Sequence, residues 1–477
     1  MTNPPGIGQP ASPSHPPRAS VAVAPESQRI TRAQWLVLAA AFFGWMFDGV
    51  EIGLFPLVAR PALQELLSDM GDAEVGRWNG VIVACFLLGA AAGGLVFGWL
   101  GDRIGRVRAM ILSILTYSLF TGAGAFAQQA WHLGVFRFIA SLGMGGEWAV
   151  AVALVVECWP EKHRPKLAGA IGAAANFGFL FIGTVAYCFP VMHGSWRWLM
   201  LVGATPAVLA LFVSLMVPES ERWKASVKTA RSQPIIEIFS RGLRKRTLLA
   251  IVFSAIPLIG TWAAVSGWIP LWVEQMKQAQ LVEAELPQFR LTQITAGELK
   301  DQVQEARKLL PQDKWPEISE AAARTKAGAQ IVLAIGAILG CYLAPVIGGI
   351  WGRRPVYFGL CLLSLVSCAY LFRSMNPFDA WFVLMVFVVG GVTAAFYGWL
   401  PLYLPELFPT RVRATGQGLS FNFGRILAAV GALQMGALVN MLGGDYASAG
   451  ATITLIYVFG LVLIWLAPET KGKPLPE

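Results

Sequence analysis

Charged residues are scarce in this chain, and their scarcity excludes an ordinary soluble protein. Asp, Glu, Lys and Arg make up 14% of its 477 residues, whereas soluble domains contain roughly 25%. Histidine and cysteine are also sparse, with four and six copies, and the cysteines form no C-x-x-C pair. The sequence therefore predicts neither a metal site nor a disulfide framework. It contains no G-x4-G-K-S/T stretch, which excludes a P-loop ATPase.

Apolar residues make up 56% of the chain, and they occur in long runs. A helix needs about 20 such residues to cross roughly 30 Å of hydrocarbon. We identify twelve candidate spans, at residues 35–58, 79–99, 107–127, 132–157, 167–190, 198–217, 247–273, 328–350, 355–372, 380–404, 414–440 and 449–467. The sequence thus predicts an all-α integral membrane protein with twelve transmembrane helices. Residues 1–30, rich in Pro, Ser and Ala, are expected to form a disordered tail.

Lys and Arg are concentrated in alternate connections between these runs. The connections that follow even-numbered runs are basic, and the long connection 218–246 alone carries eight such residues in our count. The positive-inside rule then places this connection, both termini and the tail 471–477 in the cytoplasm. Since the basic residues do not share one amphipathic face, the net charge of +9 gives no reason to expect nucleic acid as a partner.

One connection departs from this alternation. Residues 274–327, between runs 7 and 8, form a long, helix-prone insert of mixed charge on the predicted outer face. Long translocated segments do not obey the charge rule, so the insert does not contradict the topology. We expect it to act as a solvated cap, and the alternative is a role in partner binding or substrate gating.

The connection between runs 2 and 3 carries the most specific motif, G-x-x-G-D-R-x-G-R over Gly98–Arg106. Gly101 and Gly105 permit a tight reversal between helices. Three motifs recur about 250 residues later: Gly101-Asp-Arg-Ile-Gly-Arg106 as Gly348-Gly-Ile-Trp-Gly-Arg353, Glu157-x-x-Pro-x-x-x-Arg164 as Glu406-x-x-Pro-x-x-x-Arg413, and Pro218-Glu-Ser as Pro468-Glu-Thr. The chain therefore consists of two homologous halves, residues 31–217 and 247–470. Gly349 replaces the acid of the first copy, which argues against a symmetrical gate.

Together these motifs resemble those of the major facilitator superfamily of transporters over about residues 31–470. Pro218–Arg222 and Pro468–Gly472 are similar to the half-ending signatures of its sugar porters. Phe47-Asp48-Gly49 and the stretch from Arg137 to Trp148 instead resemble its metabolite, aromatic-acid and sialate proton symporters. The resemblance implies two pseudo-symmetric six-helix bundles, in which helices 1, 4, 7 and 10 line a central cavity. It also implies alternating access by a functional monomer, without enzymatic activity or a bound cofactor.

Five charged residues fall within predicted spans: Asp48, Glu51, Arg137, Glu147 and Arg425. A charge near the bilayer centre costs about 2.5–3.5 kcal/mol on insertion scales, so such residues usually face a cavity and act there. The three acids are our candidates for carrying a coupled proton, with Asp48 preferred because Glu147 has Arg137 on its own helix as a potential partner. The alternative for each acid is a structural ion pair with one of the two arginines.

Substrate-binding candidates depend on the substrate class. A substrate carboxylate would pair with Arg137 or Arg425, because the guanidinium group matches its geometry. A neutral sugar would need amides and aromatic rings, and the candidates are Asn176, Asn422, Trp262, Trp268 and Tyr397. The aromatic residues could equally serve in packing.

Acids and arginines also occur at the predicted cytoplasmic helix ends. We expect them to form salt bridges of an inner gate, worth only ~0–1 kcal/mol each as surface pairs. The gating candidates are Gly101, Asp102, Arg103, Gly105, Arg106, Glu157, Arg164, Glu219, Arg222, Arg353, Arg354, Glu406, Arg413 and Glu469.

These observations favour a secondary active transporter of the plasma (inner) membrane that carries a small organic acid together with H+. A sugar transporter or facilitator is the first alternative, and an efflux antiporter for drugs or metabolites is another. An alternative from a different functional class is a sensor or assembly protein that does not transport a solute and uses residues 274–327 as its binding module.

The topology makes a direct prediction. In a variant lacking the native cysteines, a cysteine introduced within 274–327 should react with a membrane-impermeant thiol reagent added outside the cell, whereas one within 218–246 should not. Reversed labelling would contradict the orientation.

Overall fold

The computed structural model describes residues 30–68, 70–189, 196–229, 233–266, 269–291, 296–311, 313–374, 379–441 and 446–477. All regular secondary structure in these ranges is helical. The predicted N-terminal tail and Trp268 lie outside the described residues, and of Trp262 only the backbone is described.

The first half of the chain is built from long helices with short connections. Its helices are α1 (Arg32–Leu66), α2 (Asp72–Ile104), α3 (Arg106–Ala123), α4 (Ala130–Cys158), α5 (Arg164–Cys188), α6 (Trp196–Val202) and α7 (Ala207–Met216). The connection to the second half contains α8 (Glu221–Thr229) and α9 (Pro234–Ile238).

The second half repeats this pattern with more interruptions. Its helices are α10 (Arg244–Pro257), α11 (Ile269–Glu285), α12 (Ala296–Leu309), α13 (Lys314–Trp351), α14 (Arg353–Ser374), α15 (Ala380–Ala394), α16 (Phe396–Tyr403), α17 (Arg413–Met441), α18 (Tyr446–Ile453) and α19 (Ile456–Leu463). A π-helical segment, Leu258–Ser266, follows α10 directly.

Ten helical stretches in the described part of the chain are long and apolar enough to cross a membrane. Some of them join two helices, such as α6 with α7 and α15 with α16. The other two predicted spans correspond to α10 with the π-helical segment and α11, and to α17. The prediction of a twelve-helix membrane protein is confirmed.

The reversal predicted at the first loop motif occurs in both halves. Gly105, between α2 and α3, has a φ of 113°, and Gly352, between α13 and α14, has a φ of 106°. Residues with a side chain rarely adopt this backbone conformation, so glycine is needed at both turns. We call the end of the molecule that carries these turns the motif end, and the end that carries residues 274–327 the insert end.

The two halves pack against each other along two helix pairs, α2 with α17 and α5 with α13. The contact is closest at glycines. A Cβ atom added to Gly418 would lie 2.0 Å from the carbonyl oxygen of Gly94. Because a side chain there would force the helices apart, this contact closes the space between the halves toward the motif end.

The predicted insert is more ordered than a loop. Helix α11 continues to Glu285 and α13 starts at Lys314, so the spans predicted to end at 273 and to begin at 328 are too short. These extensions and α12 bury an apolar cluster of their own, formed by Ala279, Val282, Leu291, Leu299, Val303, Ala306, Leu310 and Ile318. Lys326 on α13 also pairs with Glu274 on α11 at 2.9 Å. The segment was predicted to be helix-prone, but the apolar packing between its helices was not predicted.

The C-terminal residues 471–477 are docked rather than free. Leu475 is 5% exposed, and its backbone N–H donates to Glu161 of the first half at 3.3 Å. The carbonyl oxygen of Pro476 accepts from Arg413 Nη2 of the second half at 2.8 Å. The predicted tail therefore bridges the two halves at the motif end.

Candidate functional site

A cavity lies between the two halves, and helices of both contribute to its wall. It is lined by Trp45, Ile52, Phe86, Leu87, Gly172, Ala175, Asn176, Phe179, Leu258, Thr261, Val265, Ser266, Gln330, Leu333, Ala334, Ala337, Gly390, Thr393, Ala394, Tyr397, Phe421 and Arg425. Most of these side chains are apolar or aromatic. A small set of polar groups can therefore set the orientation of a bound molecule.

Arg425 is the charged residue in this wall. It is 6% exposed, and its Nη1 atom has no hydrogen-bond partner in the described part of the chain. The Tyr397 hydroxyl, which also lines the cavity, has no partner there either. Asn176 is held in place by a 3.4 Å hydrogen bond from its Nδ2 to Cys341 Sγ. Arg425 and Tyr397 thus offer unused donors to an anion in the cavity.

Asp48 on α1 and Glu147 on α4 form a buried carboxyl pair. Both residues are 0% exposed, and none of their four carboxylate oxygens meets a donor among the described residues. The two groups lie close enough to share a hydrogen bond once one of them carries a proton. Glu147 reaches α1 because Gly44 leaves room for it: a Cβ at Gly44 would lie 1.8 Å from Glu147 Oε1.

The carboxyl pair and the cavity are in electrostatic contact. Arg425 is the cation that acts on Asp48, across the boundary between the two halves. Trp45, one turn before Asp48 on α1, lines the cavity. Asp48 is therefore within electrostatic range of both Arg425 and Glu147.

Glu51 and Arg137 are bonded to each other, so Arg137 is not engaged by Glu147, for which it was a potential partner on the same helix. Arg137 Nη1 donates to Glu51 Oε1, which also accepts from Thr121 Oγ1 at 2.7 Å. The guanidinium group is packed between the rings of Phe55 and Phe86, at 4.7 and 4.5 Å. Arg137 does not line the cavity, so it is poorly placed for a substrate carboxylate.

Asn422 has a different place from the one expected for a sugar-binding amide. Its Nδ2 atom donates to the carbonyl oxygens of Gly145 at 2.7 Å and Gly418 at 3.0 Å. The first bond crosses from the second half to the first. Asn422 therefore holds the halves together outside the cavity wall.

Sequence reasoning missed the aromatic floor of the cavity. Phe421 stacks on Trp148 with ring centroids 3.9 Å apart, and Trp45 lies 6.0 Å from Phe421. These rings come from helices α1, α4 and α17, and they close the cavity toward the motif end. No spacing in the sequence connects them, because their contact arises only when the two halves meet.

At the motif end, Arg106 is the centre of a buried network in the first half. Its guanidinium group pairs with Asp102 at 2.6 Å and with Glu157 at 3.0 Å. Ser220 Oγ donates to Glu157 at 2.6 Å. The Glu219 carboxylate accepts from the backbone N–H groups of Arg106 and Val107, so it caps the start of α3.

The second half repeats this network at the predicted positions. Arg353 pairs with Glu406 at 2.6 Å, and Thr470 Oγ1 donates to Glu406 at 2.6 Å. Glu469 accepts from the backbone N–H groups of Arg353 and Arg354. Burial raises the pKa of Glu469, but these backbone donors outweigh it and hold the pKa below its usual value.

Contacts between the networks join the two halves. Arg413 pairs with Glu157 at 2.9 Å and Arg164 with Glu406 at 3.6 Å. Asp102 accepts from the Thr415 backbone N–H at 2.8 Å and from its hydroxyl at 2.5 Å. In the second half, the position that corresponds to Asp102 is Gly349, so no carboxylate is present there. Gly349 approaches Pro165 of the first half instead: a Cβ atom added to Gly349 would lie 2.9 Å from Pro165 Cγ. The gate is unsymmetrical at this point.

The strength expected for these gate contacts needs correction. They were expected to be surface pairs, but Asp102, Arg106, Glu157 and Arg413 are all 6% exposed or less. Removing one partner from a buried pair typically costs about 3–5 kcal/mol, because the other charge is left uncompensated.

Three of the gating candidates make local contacts instead of joining the halves. Arg103 lies over the Trp99 ring, Arg222 is 4.0 Å from Glu161, and Arg354 donates to the Trp465 carbonyl oxygen. Arg222 lies in the connection between the halves, and the other two contacts stay within one half. None of the three contacts therefore joins the first half to the second.

Comparison with known proteins agrees with this geometry. Residues 34–286 match the family model of the Major Facilitator Superfamily, and residues 351–477 match the model "Sugar (and other) transporter". A putative metabolite transport protein of Haemophilus influenzae is 27% identical and covers 94% of this chain and 100% of its own length. The cis,cis-muconate transport protein of Acinetobacter baylyi is 25% identical, over 94% of this chain and 98% of its own length.

The fold is also similar to that of solved structures. The proton:xylose symporter XylE, bound to 6-bromo-6-deoxy-D-glucose, superposes with a TM-score of 0.63 at 16% identity, covering 93% of this chain and 98% of that one. A partially occluded inward open conformation of XylE from E. coli gives a TM-score of 0.56 at 18% identity, over 93% and 100% of the two chains.

Two pseudo-symmetric helical halves around a central cavity, with charged networks at one end, define a multi-pass membrane transporter. The chain belongs to the Major Facilitator Superfamily. Its relatives are transporters of small metabolites, and the predictions of the family and of a protein that is not an enzyme are confirmed.

The gate geometry predicts the effect of two substitutions. Asp102→Asn weakens the contact with Thr415, and Arg106→Ala leaves Glu157 short of a partner, so both should favour opening at the motif end. A hydrogen bond to a charged group is worth roughly 1.5–3 kcal/mol, so we expect transport to slow about tenfold or more. Opening should also expose a cysteine introduced at Ala149, which is buried beside Gly418.

Glu74→Gln provides the control, because this residue forms an exposed pair with Arg77 at the start of α2. It should leave transport and labelling unchanged. Wild-type turnover in both gate variants, with the cysteine still protected, would show that the network has no part in gating.

Proposed function

We propose that this protein is a proton symporter for a small organic carboxylate. The observation that carries the proposal is the buried carboxyl pair, Asp48 and Glu147, beside the cavity guanidinium of Arg425. A facilitator for a neutral solute has no use for two uncompensated acids at this depth, where each charge is costly. Relatives named as transporters of muconate, niacin and sialic acid support the substrate class.

The balance of buried charges couples proton uptake to substrate binding. A buried charge is tolerated only with a partner. In the empty carrier one carboxylate of the pair balances Arg425, and the other carboxyl group keeps a proton. When a substrate carboxylate takes Arg425 as its partner, the remaining carboxylate loses its counter-charge and binds a proton. One proton is therefore taken up when a substrate carboxylate group binds Arg425.

Arg425 and Asp48 come from opposite halves. The charge balance between them therefore depends on whether substrate and proton are bound, and it acts on both halves. In the loaded carrier the substrate and the proton neutralise this region, and no charge opposes the rearrangement of the halves. In the carrier that holds only one of them, an unpaired charge remains in the cavity wall and opposes that rearrangement. Loss of one ligand without the other is thus unfavourable, as a symporter requires.

The cellular arrangement follows from the loop charges. We place the motif end and both termini in the cytoplasm and the insert 274–327 on the outer face of the plasma (inner) membrane. The contacts of Asp102 and Glu157 across the halves then form the inner gate, closed in this conformation. Each half contributes to one cavity, so a single chain suffices for transport. The insert caps the outer mouth.

A sugar is the second candidate substrate, favoured by the match of residues 351–477 to the sugar transporter model. The cavity wall offers the neutral groups Asn176, Thr261 and Gln330 to hydroxyl groups. A panel that includes muconate, nicotinate, sialate and xylose in proteoliposomes, with and without an imposed pH gradient, separates the two. We expect uptake of an acid that depends on the gradient. Uptake of xylose alone, independent of the gradient, would favour the sugar facilitator.

The acids can be tested by their amides. Asp48→Asn or Glu147→Gln keeps the shape of the side chain but cannot bind and release a proton. Accumulation driven by a pH gradient should fall at least tenfold, about the factor given by 1.4 kcal/mol. Exchange of substrate at equal concentrations should persist, because the loaded carrier need not release its proton.

Glu317→Gln on the exposed face of α13 is the matched control, and it should behave as wild type. Full gradient-driven uptake in both single amide variants would exclude the carboxyl pair as the coupling site.

Arg425 can be tested separately from coupling. Arg425→Gln removes the charge and keeps a hydrogen-bonding group, so binding of the acid should weaken by about tenfold or more, as expected for a lost charge-assisted pair. Arg411→Gln, at the surface of the motif end, is the control. Unchanged binding in Arg425→Gln would exclude it as the carboxylate site.

A further inference from the structure

Helix α3 carries a hydroxyl group near the carboxyl pair, and the mechanism above does not use this hydroxyl. Tyr117 is 0% exposed, and its hydroxyl oxygen has no hydrogen-bond partner among the described residues. Buried polar groups are nearly always bonded, so an unpartnered hydroxyl at this depth calls for a function. The candidate acceptors are close by.

The packing of α3 on α4 places Tyr117 beside Glu147. A Cβ atom added to Gly143 would lie 2.7 Å from the backbone nitrogen of Tyr117. Gly143 is one helical turn before Glu147 and shares its face. The Tyr117 hydroxyl lies within electrostatic range of Glu147, Asp48 and Glu51, but it forms no hydrogen bond with Asp48 or Glu147 in this conformation.

On the next turn of α3, another hydroxyl group lies near a membrane acid and is hydrogen-bonded to it. Thr121, four residues after Tyr117, donates its hydroxyl hydrogen to Glu51 Oε1 at 2.7 Å. Residues four apart lie on the same helix face. One face of α3 thus presents two hydroxyl groups to the three membrane acids, and only the first of these hydroxyls is without a partner.

Other charged groups around Tyr117 are already engaged. On α4, Arg137 is bonded to Glu51, and Glu157 belongs to the network at the motif end. His132 of α4 accepts a bond from the Gln128 backbone near the insert end. The charges of α2 lie at its two ends, α7 carries none, and Arg197 of α6 pairs with Glu65. Arg425 reaches Asp48 from the cavity side.

We propose that Tyr117 is a positioning residue for the coupled proton: when one carboxyl group of the Asp48–Glu147 pair is ionised, the unpartnered Tyr117 hydroxyl donates a hydrogen bond to it. Tyrosine keeps its own proton throughout. The bond supports the ionised form on the side away from the cavity, while Arg425 acts on the cavity side. Substrate binding therefore competes for Arg425 but not for Tyr117. The inference rests on the proposed proton symport.

The test is a pH titration of the purified protein by infrared spectroscopy, which needs no substrate. The carboxylic C=O band that disappears in Asp48→Asn or Glu147→Gln reports protonation of the pair. In Tyr117→Phe the ionised pair loses a donor and holds its proton to higher pH. The midpoint of the band should therefore move toward alkaline pH by about one unit.

Two further variants separate this role from packing. A fluorinated tyrosine at position 117 is a stronger donor, so the midpoint should move the opposite way, toward acid pH; this variant also serves if Tyr117→Phe does not fold. Tyr357→Phe is the matched control, because this buried hydroxyl donates to the Phe253 carbonyl oxygen at 3.1 Å in the other half. It should leave the midpoint unchanged.

The outcomes distinguish the two claims. A midpoint in Tyr117→Phe and in the fluorinated variant that equals the wild-type midpoint would overturn the role of Tyr117. An equal shift in Tyr357→Phe would also overturn it. Absence of any titrating band in the wild-type protein would instead overturn the proposed symport, whatever Tyr117 does.

Discussion

The balance between Arg425 and the carboxyl pair of Asp48 and Glu147 is the constraint on which this structure depends. All three groups are buried between or within the halves, where an unpaired charge is unfavourable. Two acids facing one arginine cannot all be ionised at low cost. We therefore propose that the site holds a proton and that an anion bound at Arg425 changes where protons are held. In this proposal the shortage of one positive charge links transport to protonation.

The networks at the motif end have the opposite character. Arg106, Glu157 and Arg413 satisfy one another, and the Asp102 carboxylate is bonded to the start of α17. The ion pairs and hydrogen bonds of this network stabilise one arrangement of the two halves, and their charges balance one another. In the proposed mechanism the carboxyl pair responds to ligands, whereas the motif end holds the halves together until the cavity is neutral. The docked residues around Leu475 add to the same closed conformation.

The sequence was sufficient for the fold and for much of the site. Twelve apolar runs and a repeat of about 250 residues predicted the architecture, and Asp48, Glu147, Asn176, Tyr397 and Arg425 all lie in or beside the cavity. The sequence did not show which side chains far apart along the chain contact each other in the fold. The partner of Arg137 is Glu51, 86 residues away, and that contact depends on how α1 rotates against α4. Tyr117 was missed for the same reason.

Burial was the other property that the sequence hid. The arginines of the loop motifs occur where apolar runs stop, which is typical of solvent-exposed charge. The meeting of the two halves removes Arg106 and Arg413 from solvent completely. The insert was predicted to be helix-prone, but its mixed charge gave no sign that its helices bury residues such as Val282 and Ala306 against one another.

The central claim is that one proton is taken up when a substrate carboxylate group binds Arg425, so that these three buried side chains and that carboxylate together stay neutral. The most direct measurement records proton and substrate fluxes together in proteoliposomes, for a monocarboxylate such as nicotinate and a dicarboxylate such as muconate, at several imposed membrane potentials. For whichever of the two is transported, the account predicts a ratio of one proton per carboxylate group bound at Arg425 and, for the monocarboxylate, a rate that does not depend on the potential. Substrate uptake without proton flux would contradict it.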